Sequence, residues 1–567
     1  MEAYLLDHLA AALRDMGVPD DFAPELETPA NADHGDIATS AAMKLARVLR
    51  RSPRQIADEL AEKLTARLDA NRVSAVEVAG PGFINFRFSD AYLSQALADV
   101  IAAGDQWGRS DTHQGETALV EFVSANPTGP LTVGHGRNAV LGDVISSLLA
   151  ATGYEVTREY YFNDAGRQMR VLGQSVAARY RSLVDPSRPT KEIEVAEGET
   201  ITVPADFPDG GYLGGYIGEI AQTLVDEQGD ALMDAGDETP FKVAAQTAIF
   251  ADITATLQRM QVHMDTHFNE HTLYTDGQVD AVVERLRGKD MVEERDGATW
   301  FLTSKLDKLG QDGEPADTVL VKSTGEPTYR LPDIAYHIDK LDRGFSLAVD
   351  VFGADHIATY PDVISALDVL GYDTARVDVV IYQFVTLVRA GQPVKMSTRK
   401  ANYVTLDELM DDVGVDVTRF FFLMRAPGTH LEFDLDLAKE ASDKNPVFYL
   451  QYAHARTASI LRKAGEQGIT ADGADLSLLT DEMETTLIKE LLRMPDVVTR
   501  AAEQRAPHLV PVYLRDVAVA FSRFYDNCRI IGEPSDIASA RLALADAARQ
   551  TLANGLGLLG LSAPDRM

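Results

Sequence analysis

Residues 124–138 read Ser124-Ala125-Asn126-Pro127-Thr128-Gly129-Pro130-Leu131-Thr132-Val133-Gly134-His135-Gly136-Arg137-Asn138. A largely apolar run, Ala118 to Val123, precedes them, and a helical pattern over 138–151 follows. Where a strand passes into a helix, backbone N–H groups are free and the positive end of the helix dipole faces outward. That suits a phosphate. His135 can donate to a phosphoryl oxygen, Thr132 adds a hydroxyl, and Gly134 and Gly136 leave room for an adenine or ribose. Taken alone, the stretch is equally well a Gly-rich turn with an incidental histidine.

A second stretch, Val394-Lys395-Met396-Ser397-Thr398-Arg399-Lys400, gathers three cations and two hydroxyls in a loop after a strand. Such a loop can clamp a triphosphate, where charge must be neutralised as pyrophosphate leaves. Alone, a run of this kind is more often a solvated surface loop.

Both loops need a scaffold. Strand 118–123, the loop, helix 138–151 closed by Gly153, and strand 154–160 make one βαβ unit, which predicts a parallel sheet. Ser346 to Phe352 and Val377 to Tyr382 are further strands, with a helix at about 361–370 between them. Glu121 is the one charge in its strand. Before this α/β part, Leu5, Leu6, Leu9, Leu13 and Met16 recur at helical spacing, as do residues from Met43 to Leu64. Val76 to Phe88 reads as strand with a Gly80-Pro81-Gly82 turn, giving a small α+β module that ends near Gly108. From Asn445 onward every signal is helical, with periodicity over 483–492, 509–524 and 538–558.

The chain has 567 residues, enough for three or four domains. No uncharged apolar run approaches the ~18 residues of a membrane span. The start has no basic leader before an apolar stretch, which argues against a secretory signal. Cys528 is the only cysteine, so no internal disulfide and no multi-thiolate metal site can form, which fits a cytoplasmic protein. The net charge is −34, with 15 Lys against 38 Arg. A pI near 4.7 argues on its face against a nucleic-acid partner. The excess is uneven: residues 1–108 carry −7, 186–319 carry −17, and 445–567 only −2.

A Gly-His loop at the first strand–helix passage, followed ~260 residues later by a Lys-Met-Ser loop, resembles the HIGH and KMSKS signatures of class I aminoacyl-tRNA synthetases. Longer motifs narrow the resemblance to arginyl-tRNA synthetase. They are Ala79 to Asn85, Tyr161 to Gln168, Thr328 to His337, Phe352 to His356, Tyr449 to Arg456, and the terminal Ala563 to Met567. They span the chain in family order. Two positions depart from the pattern: Thr132 stands for the first histidine of HIGH, and Thr398 for the second lysine of KMSKS. Arg399 or Lys400 stands ready for the missing cation.

The resemblance implies a Rossmann-like α/β catalytic domain over 109–444 with an acidic insertion at about 186–319. It implies an α+β domain over 1–108 that reaches the tRNA elbow, and an all-α anticodon-binding domain over 445–567. It implies a monomer that joins L-arginine to tRNA(Arg) using ATP and Mg²⁺, through an arginyl-adenylate. The terminal adenosine's 2′-hydroxyl then attacks, and tRNA is needed even for activation. His135, Lys395 and Ser397 would be catalytic. Thr132, Gly134, Asp355 and His356, with His135 and Lys395, would hold ATP. Asn126, Glu270, Tyr329 and Asp333 would hold arginine; carboxylates and an aromatic face match the planar fork of a guanidinium. Tyr449, Gln451, Tyr452, His454 and Arg456 offer stacking and hydrogen-bonding groups for tRNA, though one of the two tyrosines has to pack in the helical core. A cysteinyl enzyme would need a thiolate zinc site that one cysteine cannot build. A glutamyl enzyme would need a basic pocket. A non-catalytic tRNA-binding paralogue stays open.

The charge then needs another cause. An acid-rich, lysine-poor composition fits a cytoplasm of molar salt, as in a halophilic archaeon. At ~1 M salt the Debye length is only ~3 Å, so long-range repulsion of tRNA nearly vanishes. Recognition must then lean on stacking and direct hydrogen bonds.

Overall fold

A computed structural model of the chain describes residues 1–19, 21–27, 29, 31, 34–164, 166–196, 199–306, 316–394 and 404–567. Lys395, Ser397, Thr398, Arg399 and Lys400 lie outside these described residues.

The first 88 residues fold around their own core. Helices α1 (Glu2–Arg14), α2 (Ala41–Leu49) and α3 (Pro53–Arg67) pack on a three-stranded antiparallel sheet. Its strands are β1 (Ile37–Thr39), β2 (Val73–Ala79) and β3 (Phe83–Phe88), in the order β1-β3-β2. The Ser52 side chain accepts from the backbone of Gln55 and Pro53 opens α3, so the start of that helix follows from two residues. Sequence reading misses β1, which is only three residues long. Helix α4 (Asp90–Ala103) does not belong to this module. Its buried Leu93, Leu97 and Val100 join the large core of the rest of the chain.

The central sheet has five parallel strands: β4 (Thr117–Glu121), β5 (Glu155–Phe162), β8 (Thr266–Asn269), β12 (Leu347–Gly353) and β13 (Val377–Tyr382). Their order is β13-β12-β4-β5-β8. Strand β4 pairs with β5 on one side and β12 on the other. Ala118, Leu119, Val120, Ala348 and Val349 are buried, as expected of strands covered on both faces. Helix α5 (Val133–Ala151) connects β4 to β5 and starts five residues earlier than periodicity predicts. Gly142 lets it lie on the sheet, because a Cβ there would collide with the Phe122 ring.

The acidic stretch 186–319 is not one insertion, as the sequence suggests, because β8 lies inside it and forms the edge of the central sheet. After α6 (Gly166–Val184) come the hairpin β6 (Thr190–Ala196) and β7 (Glu199–Pro204), then α7 (Gly215–Gln228) and α8 (Thr239–Arg259). Beyond β8 lie α9 (Glu270–Thr275), α10 (Gln278–Arg287) and a second small sheet of β9 (Val292–Arg295), β10 (Ala298–Phe301) and β11 (Thr318–Val321). Helix α11 (Arg330–Asp342) returns the chain to β12, and α12 (Tyr360–Val369) joins β12 to β13. Strands β14 (Val385–Arg389) and β15 (Gln392–Pro393) lead to the second cationic loop. Helices α13 (Leu406–Val413) and α14 (Val415–Leu423), strand β16 (Leu431–Asp434) and helix α15 (Leu435–Lys439) follow it.

The C-terminal part is a bundle of α16 (Pro446–Glu466), α17 (Glu482–Leu492), α18 (Met494–Glu503), α19 (Leu509–Asn527) and α20 (Ser535–Leu558). Trp107 Nε1 donates to the Leu491 carbonyl at 3.0 Å, tying the bundle to the segment that enters the catalytic sheet. Among the described residues no helix is long and apolar enough to cross a membrane.

Candidate active site

The connection β4-α5-β5 leaves β4 toward one side of the sheet, while β12 sits on the other. Loops at the carboxyl ends of β4 and β12 therefore part and leave a crevice. A cavity of about 490 Å³ opens there. Its walls carry Asn126 and His135 from the β4–α5 passage, Glu270 from the end of β8, Tyr329 and Asp333 from α11, and Asp355 and His356 after β12. Seven residues singled out in the sequence thus face one space, although they span 230 positions.

His135 lies in the first turn of α5. The Thr132 backbone N–H donates to its Nδ1 at 3.1 Å. An Nδ1 that accepts is unprotonated, so the ring proton is on Nε2 and available to a ligand. Burial lowers the pKa of His135, which keeps the ring neutral. Thr132 does not line the main cavity. Its hydroxyl is 3.3 Å from His135 Nδ1, and it borders a neighbouring cleft of about 560 Å³ with His135, Asn126 and the β6–β7 hairpin. A Cβ at Gly134 would meet only Thr132 Oγ1, at an ordinary contact distance of 3.8 Å. Gly136 is a packing residue, not a nucleotide contact: a Cβ there would lie 2.6 Å from Leu406 Cδ1 and 2.9 Å from Phe422 Cε2.

Glu270 and Asp333 give the far end of the cavity its negative character. Glu270 is buried, and Tyr274 donates to its Oε1 at 3.3 Å. Burial raises its pKa, opposed by the hydroxyls of Tyr161 and Tyr274. Asp333 is pushed up to about 7 by burial, with Glu121 and Glu270 adding to the shift and His337 and Lys340 opposing it. Tyr329 stands four residues before Asp333 and is 73% exposed, so its ring forms the rim. Asp355 is exposed, and the His356 ring stacks on Phe352 at 4.8 Å.

Beneath this end lies a buried charge network that the motifs do not announce. Lys340 Nζ is 2.5 Å from both Glu121 Oε2 and Asp350 Oδ1. His337 donates from Nδ1 to the Asp333 carbonyl and from Nε2 to Asp350 Oδ2, both at 2.8 Å. Two donating nitrogens require the imidazolium. Burial and Lys340 oppose that charge, Asp350 outweighs them, and the His337 pKa is raised. Alongside, Arg343 holds Glu159 with two bonds of 2.6 and 2.7 Å, and Tyr336 donates to the same carboxylate. The only advance signal of this layer is a lone carboxylate in each of two apolar strands, Glu121 and Asp350.

On α16 the five polar and aromatic residues separate. Tyr452 is 49% exposed and stacks with Phe448, and Arg456 lies over the Tyr525 ring at 4.2 Å. Tyr449 packs against the core. Gln451 and His454 are buried and correct the expectation that they face a partner. Gln451 Nε2 donates to Asp416 Oδ2 at 2.6 Å and to Ser562, and His454 Nδ1 to the Pro564 carbonyl at 2.9 Å. Both side chains hold the C-terminal tail.

Comparison with known proteins gives a matching order of parts. Residues 3–88 match the family described as arginyl tRNA synthetase N terminal domain, 96–419 the class I (R) tRNA synthetase catalytic domain, and 450–567 the DALR anticodon binding domain. The chain is 61% identical to an arginine–tRNA ligase of Salinibacter ruber over the whole of both chains. It is 48% identical to one of Desulfotalea psychrophila, over 96% of this chain and 94% of that one. The Thermus thermophilus arginyl-tRNA synthetase structure superposes with a TM-score of 0.76 over all of both chains at 24% identity, a likeness of fold.

Proposed function

Because this chain belongs to the class I arginyl-tRNA synthetases, enzymes that attach arginine to tRNA at the expense of ATP, we propose that the cavity between β4 and β12 holds arginine and ATP side by side. One observation carries the reading: Glu270 and Asp333 face the same cavity as His135. The guanidinium lies against the two carboxylates under the Tyr329 ring, with Asn126 on the α-amino acid end. ATP lies over Gly134 and His135, with Asp355 and His356 beside it. The His135 Nε2–H faces a phosphate. Lys395 and Ser397 close on the phosphates, and Thr132 contributes through the orientation of His135.

The arginine carboxylate attacks the α-phosphorus, pyrophosphate leaves, and the arginyl-adenylate forms. A hydroxyl of the terminal adenosine of tRNA(Arg) then attacks the carbonyl carbon and AMP leaves. Side chains bind, orient and stabilise charge here, and form no covalent intermediate. Mg²⁺ comes with the ATP phosphates as their counter-ion; among the described residues no group of three His, Cys, Asp or Glu side chains is arranged to hold it.

We further propose a cytoplasmic monomer, with residues 1–108 on the tRNA elbow and the helical part from 445 on the anticodon. The exposed Tyr452 and the partly buried Arg456 are its contacts, while Tyr449 and Gln451 support them from within. The −34 charge supports adaptation to molar salt; the relatives named above are bacterial and lend an archaeal source no support. Charging of tRNA(Arg) with arginine, followed across a salt series with ATP–pyrophosphate exchange alongside, tests both readings. Arginine- and tRNA-dependent exchange that strengthens toward molar salt is the expected result. Exchange with glutamate and none with arginine overturns the site assignment, and full activity and fold at low salt overturns the salt adaptation.

A further inference from the structure

Tyr161 is the second-last residue of β5 and lines the cavity next to Glu270. Its position is held from all sides. The backbone pairs with Phe268 of β8, its N–H donates to Ser124 Oγ at 3.1 Å, and Ser124 in turn donates to Glu121 at 2.9 Å. The ring lies 4.5 Å from that of Tyr336 and stacks on Phe268. Only the hydroxyl lacks a place: it is buried and makes no hydrogen bond.

Neighbouring buried tyrosines differ. Tyr160 donates to the Ala125 carbonyl and Tyr336 to Glu159, each at 2.6 Å. A buried hydroxyl without a partner costs free energy, and native folds rarely keep one without a use for it. The Glu270 carboxylate lines the same cavity and feels the phenol: burial raises its pKa, and the Tyr161 hydroxyl works against that rise. Tyr274 already reaches Glu270 Oε1 from the other side, at a long 3.3 Å.

We propose that Tyr161 is a positioning residue for arginine selection, whose unsatisfied hydroxyl donates to Glu270 once a guanidinium draws that carboxylate into the cavity. The inference rests on the assignment of Glu270 to the arginine side chain. Between them, Tyr161 and Tyr274 would fix the plane of the carboxylate and leave its remaining lone pairs facing two parallel guanidinium N–H donors. A planar fork requires that plane; a lysine ammonium, a point charge, does not. Tyr161 therefore favours arginine over lysine through orientation, with no direct contact to either.

Tyr161→Phe deletes the hydroxyl and leaves the ring. Because the lost group has no partner in the ligand-free fold, the variant should melt at the wild-type temperature or above it. In tRNA charging its KM for arginine should rise about tenfold, the loss of one hydrogen bond to a charged group, with KM for ATP unchanged and weak lysine use, if measurable, unaffected. A lower ligand-free melting temperature together with an unchanged KM for arginine overturns the proposal and makes Tyr161 structural. Glu270→Gln is the control. If it too leaves KM for arginine unchanged, the site assignment has failed; if it raises that KM steeply while Tyr161→Phe does not, only the role of Tyr161 has failed.

Discussion

The guanidinium of Arg137 donates to the Gln383 carbonyl across 2.6 Å. It also reaches the carbonyls of Thr429 at 3.0 Å and Ala426 at 3.1 Å. Arg137 is fully buried and these partners are backbone groups, not carboxylates; burial drops its pKa to about 10. The helix that carries His135 in its first turn is thereby fastened to the link between β13 and β14. Arg137→Met takes the donor from the Gln383 and Thr429 carbonyls, while the Ala426 carbonyl keeps the Thr429 N–H at 3.0 Å. It should lower unfolding stability by about 3 kcal/mol and slow arginine-dependent pyrophosphate exchange, whereas Arg137→Lys should fall between. Denaturant midpoints and exchange rates check this. Wild-type exchange in a Met variant that is still folded would contradict it.

Lys340, like Arg137, is a fully buried cation whose removal should be severe. It answers both Glu121 and Asp350, so Lys340→Met leaves Glu121 with only the Ser124 hydroxyl and Asp350 with only His337, and should cost about 3–5 kcal/mol. Burial disfavours the Asp350 charge, yet Lys340 and His337 hold its pKa well below the usual range. Its contribution to stability is therefore present above the unfolded value of 3.8 and is lost as pH falls through the lower folded value. Chemical denaturation of wild type and variant from neutral pH down to well below 3.8 should show the gap constant above that value and narrowing below it. A gap that stays constant even there would mean that the Asp350 charge does not depend on Lys340.

Asp333 makes arginine binding pH-dependent. With its pKa raised to about 7 by burial, Asp333 in the ligand-free molecule takes up a proton far above the ordinary carboxylate range. A guanidinium needs the carboxylate as an acceptor, so binding expels that proton. Affinity should rise with pH until Asp333 is ionised and level off about one unit above pH 7. In the ligand-free fold the sign is opposite: this acid's raised pKa makes stability fall as pH rises between 3.8 and about 7. KM for arginine at saturating ATP and tRNA, measured from pH 6 to 8.5, should decrease across the range. Asp333→Asn should flatten the profile at a high KM. A KM that increases with pH would rule out this linkage.

What could be read in advance follows from physical signal strength. The apolar strands β4 and β12 and the long amphipathic helices of the bundle stand out because burial writes a period into them. Strand β8 does not: its four residues, Thr266 to Asn269, form a sheet edge, are polar except for Phe268 and sit in an acidic stretch. Helix α5 begins early because His135 and Thr132 cap it, against the poor helix propensity of Gly134 and Gly136. Motif residues such as Glu270 and Asp333 were placed by resemblance. Lys340 lies outside every motif and His337 ends one without a role there, since a charge on an amphipathic helix ordinarily faces solvent and only the tertiary fold turns these inward. Tyr161 stood inside a recognised motif without a role, because an unsatisfied hydroxyl is visible only in three dimensions.

Helix α16 separates residues that hold the fold from residues free to meet tRNA. Gln451 bonds Asp416 and Ser562 from a buried position, so Gln451→Ala should lower stability by about 1–2 kcal/mol and change KM for tRNA little once the protein is folded. Tyr452 is half exposed and bonded to nothing but its stacking partner Phe448, and Arg456 has the Tyr525 face and a 3.6 Å contact to Asp526. A stacked base is worth about 1–3 kcal/mol, so Tyr452→Ala should raise KM for tRNA about tenfold without lowering the melting temperature. Because stacking carries little charge, that factor should persist at molar salt, while the smaller effect of Arg456→Ala should fade. Charging kinetics and melting curves of the three variants at two salt concentrations separate these cases. If Gln451→Ala instead weakens tRNA use at wild-type stability and Tyr452→Ala does the reverse, the exposed face of α16 is not the tRNA contact.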